Sequence, residues 1–249
     1  LNDAPLTGPT HFSDTAADFS KPNAYTVRTV IDGVESADSR PFTLPADAPV
    51  RPCLSVPMKS PGEGYKPGDA SVADLDGDGE YEIIVKQEKS ARDNSHGGVT
   101  DPVFLQAYKI DGTFLWQINL GRNIRAGAHY TQFMVYDFDA DGKAELICKT
   151  ADGTVDGQGK VIGDPAANWV NERGYIVRGP EYLTVFSGAD GAAVDTVKYL
   201  PARTESGSDD PEELKRLWGD GYGNRFDRFL AAVASLDGVR ASAVMCRGY

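Results

Sequence analysis

From Ser71 onward, short runs of alternating apolar and polar residues are broken by Asp-Gly pairs, a period of two that predicts strands joined by tight turns. The stretch 71-SVADLDGDGEYEIIVK-86 returns as 134-MVYDFDADGKAELICK-149 and again as 232-AVASLDGVRASAVMCR-247. Between the copies lie two further strand pairs on Asp-Gly turns, 103-VFLQAYKIDGTFLWQINL-120 and 182-YLTVFSGADGAAVDTVKY-199. Each unit therefore has two strands, a loop and two more strands, the four-stranded grammar of a β-propeller blade. The third unit stops at Tyr249 after its second strand. About two and a half blades are expected, where a closed propeller needs four or more. One helix is expected at 211-PEELKRLW-218, opened by proline. Trp116, inside an apolar strand, is expected in the core.

Upstream the pattern changes. The first twenty-odd residues are polar, and 24-AYTVRTVIDGVES-36 predicts a hairpin on an Asp-Gly turn, similar to the last strands of a fibronectin-type sandwich. The Pro-rich stretch 41-PFTLPADAPVRP-52 predicts an extended linker. The expected organisation is a hairpin remnant over 1–40, a linker over 41–60 and an incomplete all-β propeller over 61–249. Leu1 in place of an initiator methionine, with no leader-like segment, makes a processed or partial chain the expectation.

A net charge of −12 argues against nucleic-acid binding and requires local cations if the ligand is itself anionic. Three cysteines exclude a disulfide scaffold, and Cys148 and Cys246 are expected as small buried hydrophobes. No stretch approaches the ~20 apolar residues of a membrane helix, so no membrane partner is expected.

The acidic turns carry the first candidate chemistry. Asp74, Asp76 and Asp78 in one turn, and Asp137, Asp139 and Asp141 in the other, stand at positions 1, 3 and 5 of a calcium-type loop. Glu82 and Glu145 follow at position 9, and the carbonyls of Glu80 and Lys143 are free to coordinate after the turn glycines. The bidentate glutamate of an EF-hand would fall on Val85 or Cys148, and the flanks are strands, so the EF-hand reading fails. An oxygen-only set still favours Ca²⁺, in a structural role. A metal-free Asx-rich turn is the alternative. The third turn, with Ser235, Asp237 and Val239, is expected to bind nothing.

The loops between strand pairs are cationic and polar. The segment 121-GRNIRAGAHYTQF-133 brings Arg122, Asn123, Arg125, His129 and Tyr130, while 219-GDGYGNRFDRFLA-231 brings Tyr222 and Arg225. Lys86 and Glu88 follow the first acidic hairpin; Lys149 and Asp152 follow the second. Such residues on loops at strand ends are where ligand sites are commonly built. Surface ion pairs for the arginines and a structural role for His129 are the plainer alternatives. Trp169 and Trp218 occupy settings where stacking on a sugar ring is conceivable.

The runs 121-GRNIRAGAHYTQFMVYDFDADGKAEL-146, 150-TADGTVDGQGKVIGD-164, 180-PEYLTVF-186 and 218-WGDGYGNRFDRFLA-231 closely resemble the rhamnogalacturonan lyases of polysaccharide lyase family 11. Residues 61–70 and 87–98 depart from that pattern. The resemblance implies an eight-bladed, calcium-rich propeller of secreted (or periplasmic) bacterial enzymes. These cleave the rhamnose–galacturonate backbone of pectic rhamnogalacturonan I by β-elimination. It implies Ca²⁺ as cofactor, the polysaccharide as partner and a monomer when complete. Elimination needs a neutralised uronate carboxylate, a base and a stabilised leaving group. Lys86, Arg122, Arg125, Lys149 and Arg225 are candidates for holding the carboxylate, with Asn123 and Tyr222 beside them. His129 and Tyr130 are candidate bases, grouped with Lys86 as the catalytic set, and Glu88 and Asp152 are candidates for a catalytic calcium. A pectin glycoside hydrolase and a non-catalytic carbohydrate-binding or adhesion propeller are the alternatives.

Overall fold

A computed structural model describes residues 1–9, 11–50, 52–204 and 206–248; Tyr249, where the third repeat ends, lies outside them. The chain divides into two units, Leu1–Ser55 and Val56–Tyr249.

The first unit holds two short antiparallel ladders. Strands β2 (Val30–Ile31) and β3 (Val34–Glu35) form the expected hairpin across Asp32-Gly33. Strand β1 (Asn23–Tyr25), however, pairs with β4 (Phe42–Leu44), which belongs to the stretch expected to be a linker. The reason is local composition: a Phe-Thr-Leu triplet of β-formers sits between two prolines, which limit the strand to three residues.

The second unit is all-β apart from one helix. Strands β5 (Lys66–Ala73), β6 (Glu82–Glu88), β7 (Phe104–Tyr108) and β8 (Phe114–Asn119) form consecutive antiparallel pairs. The next sheet comprises β9 (Phe133–Tyr136), β10 (Glu145–Ala151), β13 (Glu181–Ser187) and β14 (Ala193–Lys198). The small strands β11 (Thr154–Val155) and β12 (Val161–Ile162) reach back from the second sheet's long loop and extend the first sheet beyond β8. A third hairpin joins β15 (Phe229–Ala234) to β16 (Ser242–Arg247). The first strands of the three groups lie side by side, β9 packing between β5 and β15.

Strands β6, β7 and β10 are covered on both faces, which is why apolar residues stand side by side in them, as at Ile83–Val85 and Leu146–Cys148, instead of alternating. Leu75, Ile84, Leu105, Ile118, Leu146 and Phe186 form the core, with Trp116 among them. The Trp116 indole donates to the carbonyl of Gly188 at 2.6 Å and so links the two sheets. Only glycine fits there, since a Cβ at residue 188 would lie 1.9 Å from the Ala144 carbonyl oxygen. Cys148 is buried as expected, but Cys246 is exposed, because it lies on an uncovered face of the two-stranded β15–β16 sheet. Helix α1 (Pro211–Trp218) starts at proline, is capped by the Asp210 carboxylate on the Glu212 amide, and ends at a left-handed Gly219.

Because antiparallel neighbours reverse at alternate ends, the connections sort by length. The short turns 74–81, 109–113, 137–144, 188–192 and 235–241 emerge at one end of the sheets. The long segments 89–103, 120–132, 152–180 and 199–228 emerge at the other.

Candidate functional site

The short-turn end holds the acidic loops, and both adopt one hydrogen-bonding scheme. In the first, the Asp74 carboxylate accepts from the amides of Gly77 (2.7 Å), Asp78 (3.1 Å) and Gly79 (2.8 Å). Asp78 accepts from the Glu80 amide, and Glu82 from that of Leu75, each at 2.8 Å. In the second, Asp137 accepts from Asp141 (3.2 Å) and Gly142 (2.9 Å), Asp141 from Lys143 (2.8 Å), and Glu145 from Phe138 (2.9 Å). The two turns abut, the Ala144 amide donating to the Asp74 carbonyl at 2.8 Å.

Carboxylate oxygens of Asp74, Asp76 and Asp78 lie within 4.8 Å of one another, as do those of Asp137, Asp139 and Glu145. This oxygen-only arrangement suits a hard divalent cation such as Ca²⁺. Glu145 is held above the ordinary carboxylate range, by burial first and then by the charges of Asp139, Asp137 and Asp141. The first turn differs in one respect. The Lys109 ammonium lies 3.1 Å from Asp76, 3.2 Å from Asp78 and 3.5 Å from Glu82, whereas the matching register position in the second sheet, opposite Glu145, is Ser187.

The long-loop end gathers the cationic segments. Arg125 is buried; it donates to the Tyr130 hydroxyl and to the carbonyls of His96 (2.5 Å) and Gly98 (3.1 Å), and lies 4.4 Å over the Tyr175 ring. Tyr175 meets Tyr222 edge-on at 5.4 Å, and Arg173 stands 5.5 Å from both rings. Asn94 donates to the Asp227 carbonyl at 2.9 Å, joining the 89–103 and 219–228 loops. Tyr175 Oη, Asn94 Oδ1 and Thr131 Oγ1 are buried and have no hydrogen-bond partner among the described residues, so polar capacity is left over in this cluster. Burial first, and then the Asp227 charge, raise Tyr130 above the ordinary phenol range, which keeps it protonated and suits it to donating rather than abstracting a proton. His129 is only half-buried, and its backbone carbonyl holds the Phe229 amide at 3.0 Å. Asp93 stays ionised down to about 2, through hydrogen bonds from Ser95 and, more weakly, the charges of Arg228 and His129.

Other expected site residues take different places. Lys86 is buried and paired with Asp69 at 2.5 Å, with Glu88 at 4.0 Å. Asn123 turns inward instead of toward a ligand: its amide nitrogen donates to the Asp152 and Ala167 carbonyls and its oxygen accepts from Trp169 N. Asp152 is likewise committed, accepting from the Trp169 indole (2.9 Å) and the Asp164 amide (3.0 Å). It does not join Glu88 in any compact acid cluster among the described residues. Arg122 and Arg225 are exposed at the surface of their loops.

Lys149 belongs to a buried ion cluster centred on Glu181, a residue the sequence did not single out. Glu181 lies 2.8 Å from Lys149, 3.0 Å from Arg203 and 2.5 Å from Arg247; Lys149 also reaches Asp227 at 3.4 Å. Burial alone would push this carboxyl up, but the three cations outweigh it and hold its pKa at about 2. The cluster ties the second sheet to the third hairpin, Arg247 also donating to the carbonyls of Pro201 and Phe226. Asp220 was missed too: its carboxylate gathers the amides of Tyr222, Gly223, Asn224 and Arg225 and so shapes the loop. An acid opening a glycine-rich loop was the available signal for Asp220; for Glu181 a lone acid at a strand start carries none.

Repeated antiparallel hairpins with acidic turns at one end and a cation-rich polar cluster at the other define an all-β repeat protein built around loops at strand ends. Residues 53–249 match the family described as "Rhamnogalacturonan lyase family 11, C-terminal domain", and the chain belongs to this family. It is similar to the rhamnogalacturonan exolyase YesX of Bacillus subtilis, 58% identical over 79% of this chain and 32% of the relative. It is also similar to the rhamnogalacturonan endolyase YesW of the same organism, 52% identical over 91% of this chain and 36% of the relative. Among solved structures it resembles the Bacillus licheniformis rhamnogalacturonan lyase PL11, 51% identical, with a TM-score of 0.80 over 96% of this chain and 40% of the other. The chain thus spans about a third of the length of the curated relatives it matches.

Two outcomes follow from these clusters. Lys109→Ser, which copies the second sheet's residue, should lower the melting temperature in chelator below that of the wild type; an unchanged value would mean that Lys109 carries no share of the first turn's charge balance. Glu181→Gln takes the carboxylate from buried Arg203 and Arg247 and leaves Lys149 with Asp227 alone, and should cost about 3–5 kcal/mol in chemical denaturation at neutral pH. Because the folded carboxyl titrates at about 2 instead of 4.5, its stabilisation is present above about pH 4.5 and is lost as the pH falls toward 2. The Glu181→Gln variant should therefore lose that part of the acid dependence.

Proposed function

We propose that this chain carries part of the catalytic machinery of a rhamnogalacturonan lyase, which cleaves the rhamnose–galacturonate backbone by β-elimination. The observation that carries this reading is the 58% and 52% identity to relatives named as a rhamnogalacturonan exolyase and endolyase. Its sheets are blades of a β-propeller, a reading supported by the side-by-side packing of β5, β9 and β15, the strands that would line the central channel. The polysaccharide is the partner, and the protein acts as a monomer outside the cytoplasm of a bacterium.

Asp74, Asp76, Asp78 and Glu82, with the Glu80 carbonyl, hold one calcium ion. Asp137, Asp139, Asp141 and Glu145, with the Lys143 carbonyl, hold another. Bound there, Ca²⁺ supplies charge neutralisation that pins the turns between strands. The chemistry proceeds at the opposite end. Arg122 and Arg225, exposed on their loops, neutralise the uronate carboxylate, which acidifies the proton on the adjacent carbon. Half-buried His129, with the Asp93 carboxylate nearby, takes that proton; the bond from the next ring carbon to the glycosidic oxygen breaks as the ring double bond forms, and the leaving oxygen takes up a proton from water, while the Tyr130 hydroxyl accepts from Arg125 and holds it in place.

The test is to incubate the protein, as its gene encodes it, with rhamnogalacturonan and follow the absorbance of unsaturated uronate. A rise that chelator abolishes and added calcium restores is expected. New reducing ends without that absorbance would mean a hydrolase, and binding without either would mean a non-catalytic module. His129→Ala should lower turnover by about 10²–10⁴-fold with little change in KM; unchanged turnover would remove His129 from the mechanism.

A further inference from the structure

A cleft opens beside the Glu181 cluster, and Arg125, Tyr130 and Tyr175 do not line it. It has a volume of about 340 Å³ and runs between residues 177–182, the end of β14 and residues 202–204 and 207–208. Arg178 and Lys198 are exposed on its wall, and Arg203 lines it from within. Glu181 is the one acid lining it among the described residues, and that carboxylate is already matched by Lys149, Arg203 and Arg247. Among the described lining residues, positive charge therefore exceeds negative, on a chain whose net charge is −12.

The cleft is also partly aromatic, and Arg203 is held in place on its wall. Arg203 is fixed by the Gly179 carbonyl at 2.9 Å and by Glu181, while its own carbonyl accepts from the Trp218 indole at 2.6 Å. Trp169 stands directly behind Gly179, where any Cβ would lie 2.4 Å from its ring, and the Arg178 guanidinium lies 5.8 Å over the same ring. Tyr182 and Tyr199 complete the apolar surface, and Thr204 and Ser208 add polar groups. Exposed cations beside aromatic surface match a ligand with both a carboxylate and an apolar ring face. The volume is at the lower end for small-molecule clefts, which limits the occupant to a short segment.

We propose that this cleft is a binding site for a uronate residue of an acidic oligosaccharide, separate from the cluster where cleavage is placed. It rests on the lyase reading for the identity of that sugar. Arg178 and Lys198 recognise the carboxylate, and Arg203 supplies the fixed positive background.

The test is calorimetric titration of the full chain with a short rhamnose–galacturonate oligosaccharide and, separately, with its methyl ester. Arg178→Gln combined with Lys198→Gln alters only exposed side chains, and its unfolding curve should overlay that of the wild type. The acidic oligosaccharide should bind the double variant about tenfold more weakly than the wild type, and the ester should bind weakly to both. Equal affinity of the wild type and the double variant, or equal affinity for acid and ester, overturns the proposal. Lyase activity is read separately, on the protein as its gene encodes it. Binding that depends on the two cations without any lyase activity upholds the cleft and removes the lyase reading, whereas lyase activity with unaltered binding in the double variant does the reverse.

Discussion

Antiparallel pairing sends successive connections to alternate ends of a sheet, and most of what is distinctive in the second unit follows from that constraint. A two-strand repeat with an Asp-Gly turn has room at one end only for a tight loop. The long segments must then emerge together at the opposite end, where they pack on one another. Metal-type acids and ligand-type cations are thereby held a full strand length apart. Opposite charges that would otherwise pair locally remain available for separate tasks.

The two ends manage charge differently. At the tight-turn end, backbone amides take up part of each carboxylate and leave outward oxygens clustered; Lys109 balances one turn, and Ser187 stands in its place in the other. At the long-loop end, charge is buried and cross-linked. Glu181 collects three cations from three segments, and desolvation makes this arrangement tolerable only because every partner is present. The same cluster leaves positive charge in excess along the adjoining cleft. An acidic protein can in this way present a cationic face to an acidic polymer without changing its overall charge.

Much of the fold was legible before any coordinates. The three hairpins begun near Ser71, Met134 and Ala232, the intervening strand pairs and the helix opened by Pro211 all follow from period, turn chemistry and capping. The acidic turns were legible for the same reason, but not which carboxylates come together: Asp74, Asp76 and Asp78 do so in one turn, and Asp137, Asp139 and Glu145 in the other. The pairing of Phe42–Leu44 with Asn23–Tyr25 was not, because its partner lies across an intervening hairpin. Asn123 and Asp152 looked like ligand groups by type and loop position; only their contacts with residues 164–169 reveal that their hydrogen bonds are spent internally.

By itself the sequence determined the local units: strand, acidic turn, strand, and the number of times that unit recurs. Those features are settled by φ/ψ preference and side-chain alternation within about 16 residues, so no distant contact is needed to specify them. The tertiary structure alone decided which long loops meet, which cations are buried by Glu181, and which remain on the surface at Arg122, Arg178 and Lys198. Those outcomes depend on desolvation and on partners scores of residues away in the chain, and a charged residue's type does not reveal whether its counter-charge will be a neighbour, a distant strand or a ligand.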